Sequence, residues 1–409
     1  MEPMGPVLGE RSVRWIKRLS LVTIGQVLAQ GMGFLFLVML AWWYSKNDYG
    51  QIAYLLGIAA FAGTFICAGV PVALARCIAM YKEDRERIYD HYSNGLVLVL
   101  IIMLTVSLVL FALYRDPLLI LATLGFGVLG IYQELVRGYL HYGRLATFQL
   151  VGNSLKVALL VFLVYMFASL GTRAPLLAYG LAPFIALAAY MIICPLGLGF
   201  RRSAISARIM KEIGKFSFWV IVASVANSAA LVVNLILLER DIGFTEVATY
   251  NVAYTLTIPL TLATIGVNLI LYPKIAETDD PGRHDRMVHL SIAFSVGASL
   301  ALTLLYYFFG NWAIGLLYPE QYGSSYLPMM VLCLGVTLVN VHTVFANYFE
   351  AVGRPHVTAI ICIAAMAVTF ALGLLLVPLH GALGAGYAFT AGYGVACLMS
   401  AGVWGMKKR

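Results

Sequence analysis

Apolar runs of about 20 residues follow one another along the whole chain, each long enough to cross a bilayer as an α-helix. They fall at 18–43, 50–79, 93–114, 117–140, 146–169, 175–199, 214–238, 249–275, 287–309, 325–350, 356–378 and 381–405. The connections are short and leave no room for a water-soluble domain. Composition agrees: 61% of the 409 residues are hydrophobic and 11% are charged, against about 25% charged in an ordinary soluble domain. The expectation is an all-α polytopic membrane protein with twelve spans, numbered 1 to 12 in the order above.

The net charge of +8 does not point to nucleic acid, because the basic residues sit in loops as topology signals. One set comprises the N-terminus (Arg11, Arg14, Lys17, Arg18), the loops after even-numbered spans and the terminal "KKR". Those loops hold Lys82, Arg85, Arg87, Arg144, Arg201, Arg202, Arg208, Lys211, Arg283, Arg286 and Arg354, and the opposite loops hold only Lys46, Arg115, Arg173 and Arg240. The bias predicts a multi-pass protein of the cytoplasmic (inner) membrane with both termini cytoplasmic. Leu19–Trp43 is too long for the core of a cleaved leader and reads as span 1. All six cysteines lie in apolar runs, without a disulfide or zinc spacing, and read as packing residues.

Short phrases recur at matching places. "YGQIAY" (49–54) opens span 2 and "TYNVAY" (249–254) opens span 8. "AGVPVALARCIA" (68–79) and "IGVNLILYPKIA" (265–276) end the same two spans, while "YLHYGR" (139–144) and "YFEAVGR" (348–354) follow spans 4 and 10. Three echoes in one order predict two parallel six-helix repeats, 1–199 and 214–409, related by an axis along the membrane normal. Between them, residues 200–213 open an amphipathic stretch: Ile205, Ile209 and Ile213 share one stripe, Arg208, Lys211 and Lys215 another. It reads as an interfacial helix at the cytoplasmic surface.

Polar side chains at membrane depth mark candidate sites, because hydrocarbon tolerates them poorly. Lys156 is the deepest charge, about ten residues or ~15 Å into span 5, on a stripe with Gln149 and Asn153. Glu134 and Arg137 on span 4 are i, i+3 neighbours. They read either as a self-neutralising pair or as an ion-responsive carboxylate beside a phosphate-binding arginine. Arg76 and Lys274 sit near the inner ends of spans 2 and 8, where ordinary flanking charge is the plainer reading. Together with Arg137 and Lys156 they would give a cavity positive potential for anionic headgroups. Ser20, Thr23, Gln26 and Gln30 on span 1, and Ser217, Ser224, Asn227 and Asn234 on span 7, read as matched polar cavity walls, joined by Asn268 and Asn340. His342 reads as a packing residue. Neither HExxH nor Walker A is present, and the charges of "KEDRERIYD" (82–90) balance, so no enzyme, cofactor or metal is expected.

Longer phrases carry a resemblance. "YSKNDYGQIAYLLGI" (44–58), "LLYPEQYGSSYLPMMVL" (316–332) and "FEAVGRPHVTAIICIAAMAVTFALGLLLVPLHGALGAGYAFTAGYG" (349–394) resemble the polysaccharide-transporter (Wzx-type flippase) family of the multidrug/oligosaccharidyl-lipid/polysaccharide (MOP) superfamily. The resemblance implies the MOP flippase fold, two pseudo-symmetric six-helix bundles with spans 1, 2, 7 and 8 lining a central cavity. It implies alternating-access flipping of an undecaprenyl- or other polyprenyl-pyrophosphate-linked oligosaccharide, with membrane lipids and the polysaccharide polymerase machinery as further partners. By position Arg76 matches a cavity-helix arginine for the pyrophosphate. Span 1 offers no interior arginine and span 8 only Lys274, which leaves that role open to Lys156 or Arg137. Two alternatives stand beside this reading. A drug or cation exporter of the same superfamily would be expected to place carboxylates deep in its cavity. A membrane-embedded glycan polymerase would form glycan bonds without partner enzymes.

Overall fold

The computed structural model describes the backbone of residues 7–81, 84–276 and 281–406, and the side chains of 24–81, 84–141, 143–262, 282 and 284–406. The side chains of Ser20, Thr23, Asn268 and Lys274 lie outside the described residues, as does the terminal "KKR". Span 1 is the helix Val7–Trp43, span 3 Arg85–Tyr114, span 4 Pro117–Gly138, span 5 Tyr142–Met166 and span 6 Arg173–Ile193. Span 7 is Ala207–Asp241, span 8 Phe244–Ala276, span 9 Pro281–Leu317 and span 10 Tyr326–Ala351.

Two spans depart from a single straight helix. Span 2 is two helices, Lys46–Cys67 and Val70–Met80, separated at Ala68 and Gly69. Pro71 has no N–H for the Cys67 carbonyl, and its ring would press on that turn, so the ladder breaks just before it. Spans 11 and 12 form one continuous element, Pro355–Met406, that reverses at Gly381 (φ 57°, ψ −134°). Only glycine adopts that backbone readily. The Glu246 carboxylate on span 8 accepts from the Ala382 N–H (2.8 Å) and so caps the start of span 12.

Equivalent helices pair in the two bundles. Span 1 packs on span 5 and span 7 on span 11; span 2 packs on span 4 and span 8 on span 10; span 4 packs on span 6 and span 10 on span 12. Glycines permit the close seams. Gly25 faces Ala146 between spans 1 and 5, Gly125 faces the Gly180 backbone between spans 4 and 6, and Gly335 faces Phe389 and Thr390 between spans 10 and 12. The echo after spans 4 and 10 is also a structural repeat. Leu140 (φ 58°) and Gly353 (φ 76°) both turn left-handed. His141 N–H reaches back to the Val136 carbonyl (3.3 Å) just as Arg354 N–H reaches Phe349 (2.7 Å). These are the six-to-one bonds that close a helix C-terminus.

The link between bundles differs from the sequence expectation. Residues 207–216 are the first turns of span 7 itself, preceded by a single tight turn at Arg202–Ala204. Two isoleucines of the stripe find protein: Ile213 is buried among Val70, Leu74 and Ile78 of span 2, with Ile209 and Phe216 against the same cluster, whereas Ile205 stays exposed. A ready apolar partner makes a separate surface helix unnecessary.

Candidate functional site

The end of the bundles that carries the arginine-rich loops is termed the basic face, and the opposite end the far face. At the far face the two bundles are joined by side-chain hydrogen bonds and ring contacts. Tyr49 donates to Asn251 Oδ1 (2.8 Å), Lys46 Nζ to the Gln321 carbonyl (3.0 Å) and Trp42 Nε1 to the Leu317 carbonyl (2.8 Å). The Tyr49 ring meets Tyr322 edge-on at 5.7 Å, and Tyr322 meets Tyr318 at 5.8 Å. Gly50 lies so close to the Phe244 carbonyl that any Cβ would overlap it. The twice-written phrase thus supplies both halves of a seal, Tyr49 from span 2 and Asn251 from span 8. Spans 2 and 7 stay in contact further in, through Gly57 against Leu235, Gly69 against Ile221, and Arg76 stacked over the Phe216 ring (4.8 Å).

Lys156 is 7% exposed and sits inside the first bundle, away from the seam between the two. Its ammonium lies 4.3 Å from the centroid of the Tyr179 ring on span 6. No carboxylate of the described residues is within ion-pair distance. Tyr179 in turn neighbours Phe36 of span 1 (6.3 Å). Spans 1, 5 and 6 therefore come together around this cation. Placing a lysine at mid-membrane costs about 2.5–3.5 kcal/mol on insertion scales, and a cation–π contact returns about 0.5–2 kcal/mol. The aromatic contact offsets part of that cost.

Toward the basic face, Glu134 Oε1 on span 4 pairs with Arg137 Nη1 at 2.8 Å. The glutamate side chain is mostly buried (15% exposed), whereas that of Arg137 is 52% exposed. Beside them Gly138 rests on the backbone of Ala75, so Arg137 and Arg76 flank a single span 2–span 4 contact. The structure brings Lys156, Glu134, Arg137 and Arg76 into one bundle; Lys274 lies outside the described side chains.

The neutral residues divide differently. Asn153 Nδ2 donates to the Ala29 carbonyl (2.7 Å) and ties span 5 to span 1. Asn340 Nδ2 donates to the Leu260 carbonyl (2.9 Å) and to Ser299 Oγ (3.2 Å), tying span 10 to spans 8 and 9. Asn234, wholly buried, donates to Tyr250 Oη (3.3 Å). Asn227 is at the surface of span 7 and accepts from the Tyr393 hydroxyl of span 12 (2.7 Å). Gln26 and Gln30 are partly exposed on span 1. His342 is buried between Ser400 Oγ (3.1 Å) and Cys362 Sγ (3.5 Å), the packing role expected of it. Tyr179 was not singled out by sequence, since an aromatic in an apolar run looks like ordinary core. Glu350 was missed too. It occupies the repeat position of Arg137, and the matched turns after spans 4 and 10 were the signal that could have found it.

Twelve spans in two pseudo-symmetric bundles form the fold of a membrane transporter of the MOP superfamily. The chain belongs to the family described as "Polysaccharide biosynthesis protein", whose model matches residues 16–260. No curated protein matches the chain. Among solved structures it is similar to a multidrug resistance MATE family transporter of the MOP superfamily in its inward-facing conformation. That match has 15% identity, covers 94% of each chain and gives a TM-score of 0.71. The outward-facing conformation of such a transporter matches at 14% identity over 95% of each chain, with a TM-score of 0.67. A MOP superfamily transporter from Pyrococcus furiosus, described as having a binding pocket of reverse polarity that suggests a different function, matches at 15% identity over 95% of each chain (TM-score 0.70).

Proposed function

We propose that this protein is a flippase for polyprenyl-pyrophosphate-linked oligosaccharide. It takes the headgroup from the basic face, which is cytoplasmic in this reading, and delivers it to the outer leaflet by alternating access. The observation that carries the proposal is Lys156. In a member of a family named for polysaccharide biosynthesis, the deepest charge is a cation with no carboxylate partner among the described residues. An anionic pyrophosphate supplies the missing countercharge, and Arg137 and Arg76 form a basic approach to it. The far-face seal supports a resting state that receives substrate from the basic side. Glu134, bonded to Arg137, is the group proposed to respond when substrate phosphate competes for that arginine, and it is the candidate for ion coupling.

The rival is an exporter of cationic drugs, favoured by the MATE-like fold. Binding separates the two. Purified protein in lipid nanodiscs is titrated with a short-chain polyprenyl-pyrophosphate oligosaccharide, its uncharged polyprenol counterpart and a cationic dye. Saturable binding of the pyrophosphate alone, weakened about tenfold or more by Lys156→Gln (one charge-assisted contact), supports the flippase. Saturable binding of the dye, with no effect of the pyrophosphate, supports the exporter and overturns the proposal.

A further inference from the structure

Spans 3 and 9 hold equivalent places in the two bundles, yet their far-face ends close differently. Span 3 closes on its own chain. Arg115 turns left-handed (φ 52°) and its N–H reaches the Phe111 carbonyl (3.0 Å). The next residue, Asp116, accepts at Oδ1 from the Leu118 N–H (2.9 Å) and starts span 4. Residues 115 and 116 are the whole connection. Span 9 instead ends at Leu317 and passes through a tight turn, Glu320–Ser325, before span 10 begins at Tyr326. The carbonyl of a helix's last residue has no partner within its own helix. That of Leu317 accepts from Trp42 Nε1 of span 1, across the seam between the bundles (2.8 Å).

Lys46, at the start of span 2, holds the turn in the same way. Its ammonium donates to the Gln321 carbonyl (3.0 Å) and to Ser324 Oγ (3.3 Å), and lies 5.8 Å from the centroid of the Tyr322 ring. Among the described residues, each of these partners belongs to the second bundle and none is a carboxylate. The other side of the turn is fixed within the second bundle, where Ser325 Oγ donates to the Thr249 carbonyl of span 8 (3.0 Å) in a buried bond. The turn is therefore rooted in one bundle and gripped by the other.

We infer that Trp42 and Lys46 form a far-face latch that works by capping in trans. With the far face closed, the first bundle completes the end of span 9 and its turn. With the far face open, those acceptors lose both donors and are left to water. The capping is present only in the closed state and so biases the equilibrium toward it. The latch is one-sided, because span 3 caps itself, and residues 317–325 stay with the second bundle as the far face opens. The inference rests on the alternating-access motion proposed above and is independent of what is carried.

The test measures distances between spin labels on the full protein in nanodiscs, without substrate. Arg115→Cys with His380→Cys reports separation of the bundles, and Arg115→Cys with Glu320→Cys reports the turn. Trp42→Phe and Lys46→Met are each expected to raise the ratio of open to closed molecules about fivefold, the weight of one net hydrogen bond. The longer distance should appear in both label pairs. Lys46→Arg keeps the charge and the donors and should stay near the wild-type ratio. Tyr44→Phe removes a bond of the same kind inside the first bundle, from the Tyr44 hydroxyl to the Gly171 carbonyl (3.0 Å), and should leave both distributions unchanged. Unchanged distributions in Trp42→Phe and Lys46→Met overturn the inference, as does a shift in Tyr44→Phe as large as theirs. Lengthening at Glu320 with none at His380 means that the turn frays while the bundles stay shut, and it overturns the inference too. Because no substrate is used, failure of the pyrophosphate to bind would refute the flippase reading and leave these outcomes as they are.

Discussion

Lys156 and Asn340 are polar residues at membrane depth in contrasting settings. Asn340 makes two hydrogen bonds to neighbouring helices, so Asn340→Ala is expected to lower stability by about 1 kcal/mol, read as an earlier thermal unfolding midpoint in detergent. Among the described residues, Lys156 meets an aromatic face and no carboxylate. Lys156→Met keeps the volume and removes an incompletely compensated charge, so the midpoint is expected to rise while transport is lost. A lower midpoint would make the lysine structural. Periodicity and charge exposed Lys156, because a lysine ten residues into an apolar run is visible without coordinates. Its partner Tyr179 was not legible, since a tyrosine in span 6 carries no mark of the ammonium above it. The asparagines were visible as a class, but their partners are backbone carbonyls on other helices, which sequence cannot assign.

At the scale of elements, hydropathy found the spans but not their breaks. Val70 and Pro71 continue the apolar run of span 2, so only the missing N–H of Pro71 records the interruption. The amphipathic pattern of 200–213 fits lipid and protein equally; the Leu74–Ile78 face that Ile209 and Ile213 cover is more than a hundred residues away. The repeated phrase told more. It placed spans 2 and 8 as equivalents, and the structure joins them through Tyr49 and Asn251. Gly50→Leu would drive a side chain into the Phe244 carbonyl at that seam. With spin labels at Arg115→Cys and Glu320→Cys on the far face, the variant is expected to lengthen the inter-label distance by several ångströms. An unchanged distribution would mean the contact does not hold the bundles closed. Tyr49→Phe removes only the hydrogen bond and is expected to broaden the distribution toward longer distances without moving its main peak.

For the molecule as a whole, the two-bundle architecture and the basic face were legible from echoes and loop charges, whereas the closure at the far face depends on pairings about two hundred residues apart. Among the described residues, the first bundle holds Lys156 without a carboxylate partner, while the second places Glu350 at the position of Arg137. The proposed function puts the substrate phosphate in the first bundle. The direct test is headgroup crossing in liposomes that contain purified protein and a fluorescent polyprenyl-pyrophosphate oligosaccharide, with quencher added outside, over imposed pH and ion gradients. The account predicts that the protein makes inner-leaflet lipid accessible well above the rate of empty vesicles, and that Lys156→Gln, reconstituted to the same density, falls to nearly that background. Crossing no faster than in empty vesicles under every gradient, or undiminished crossing by Lys156→Gln, would contradict it.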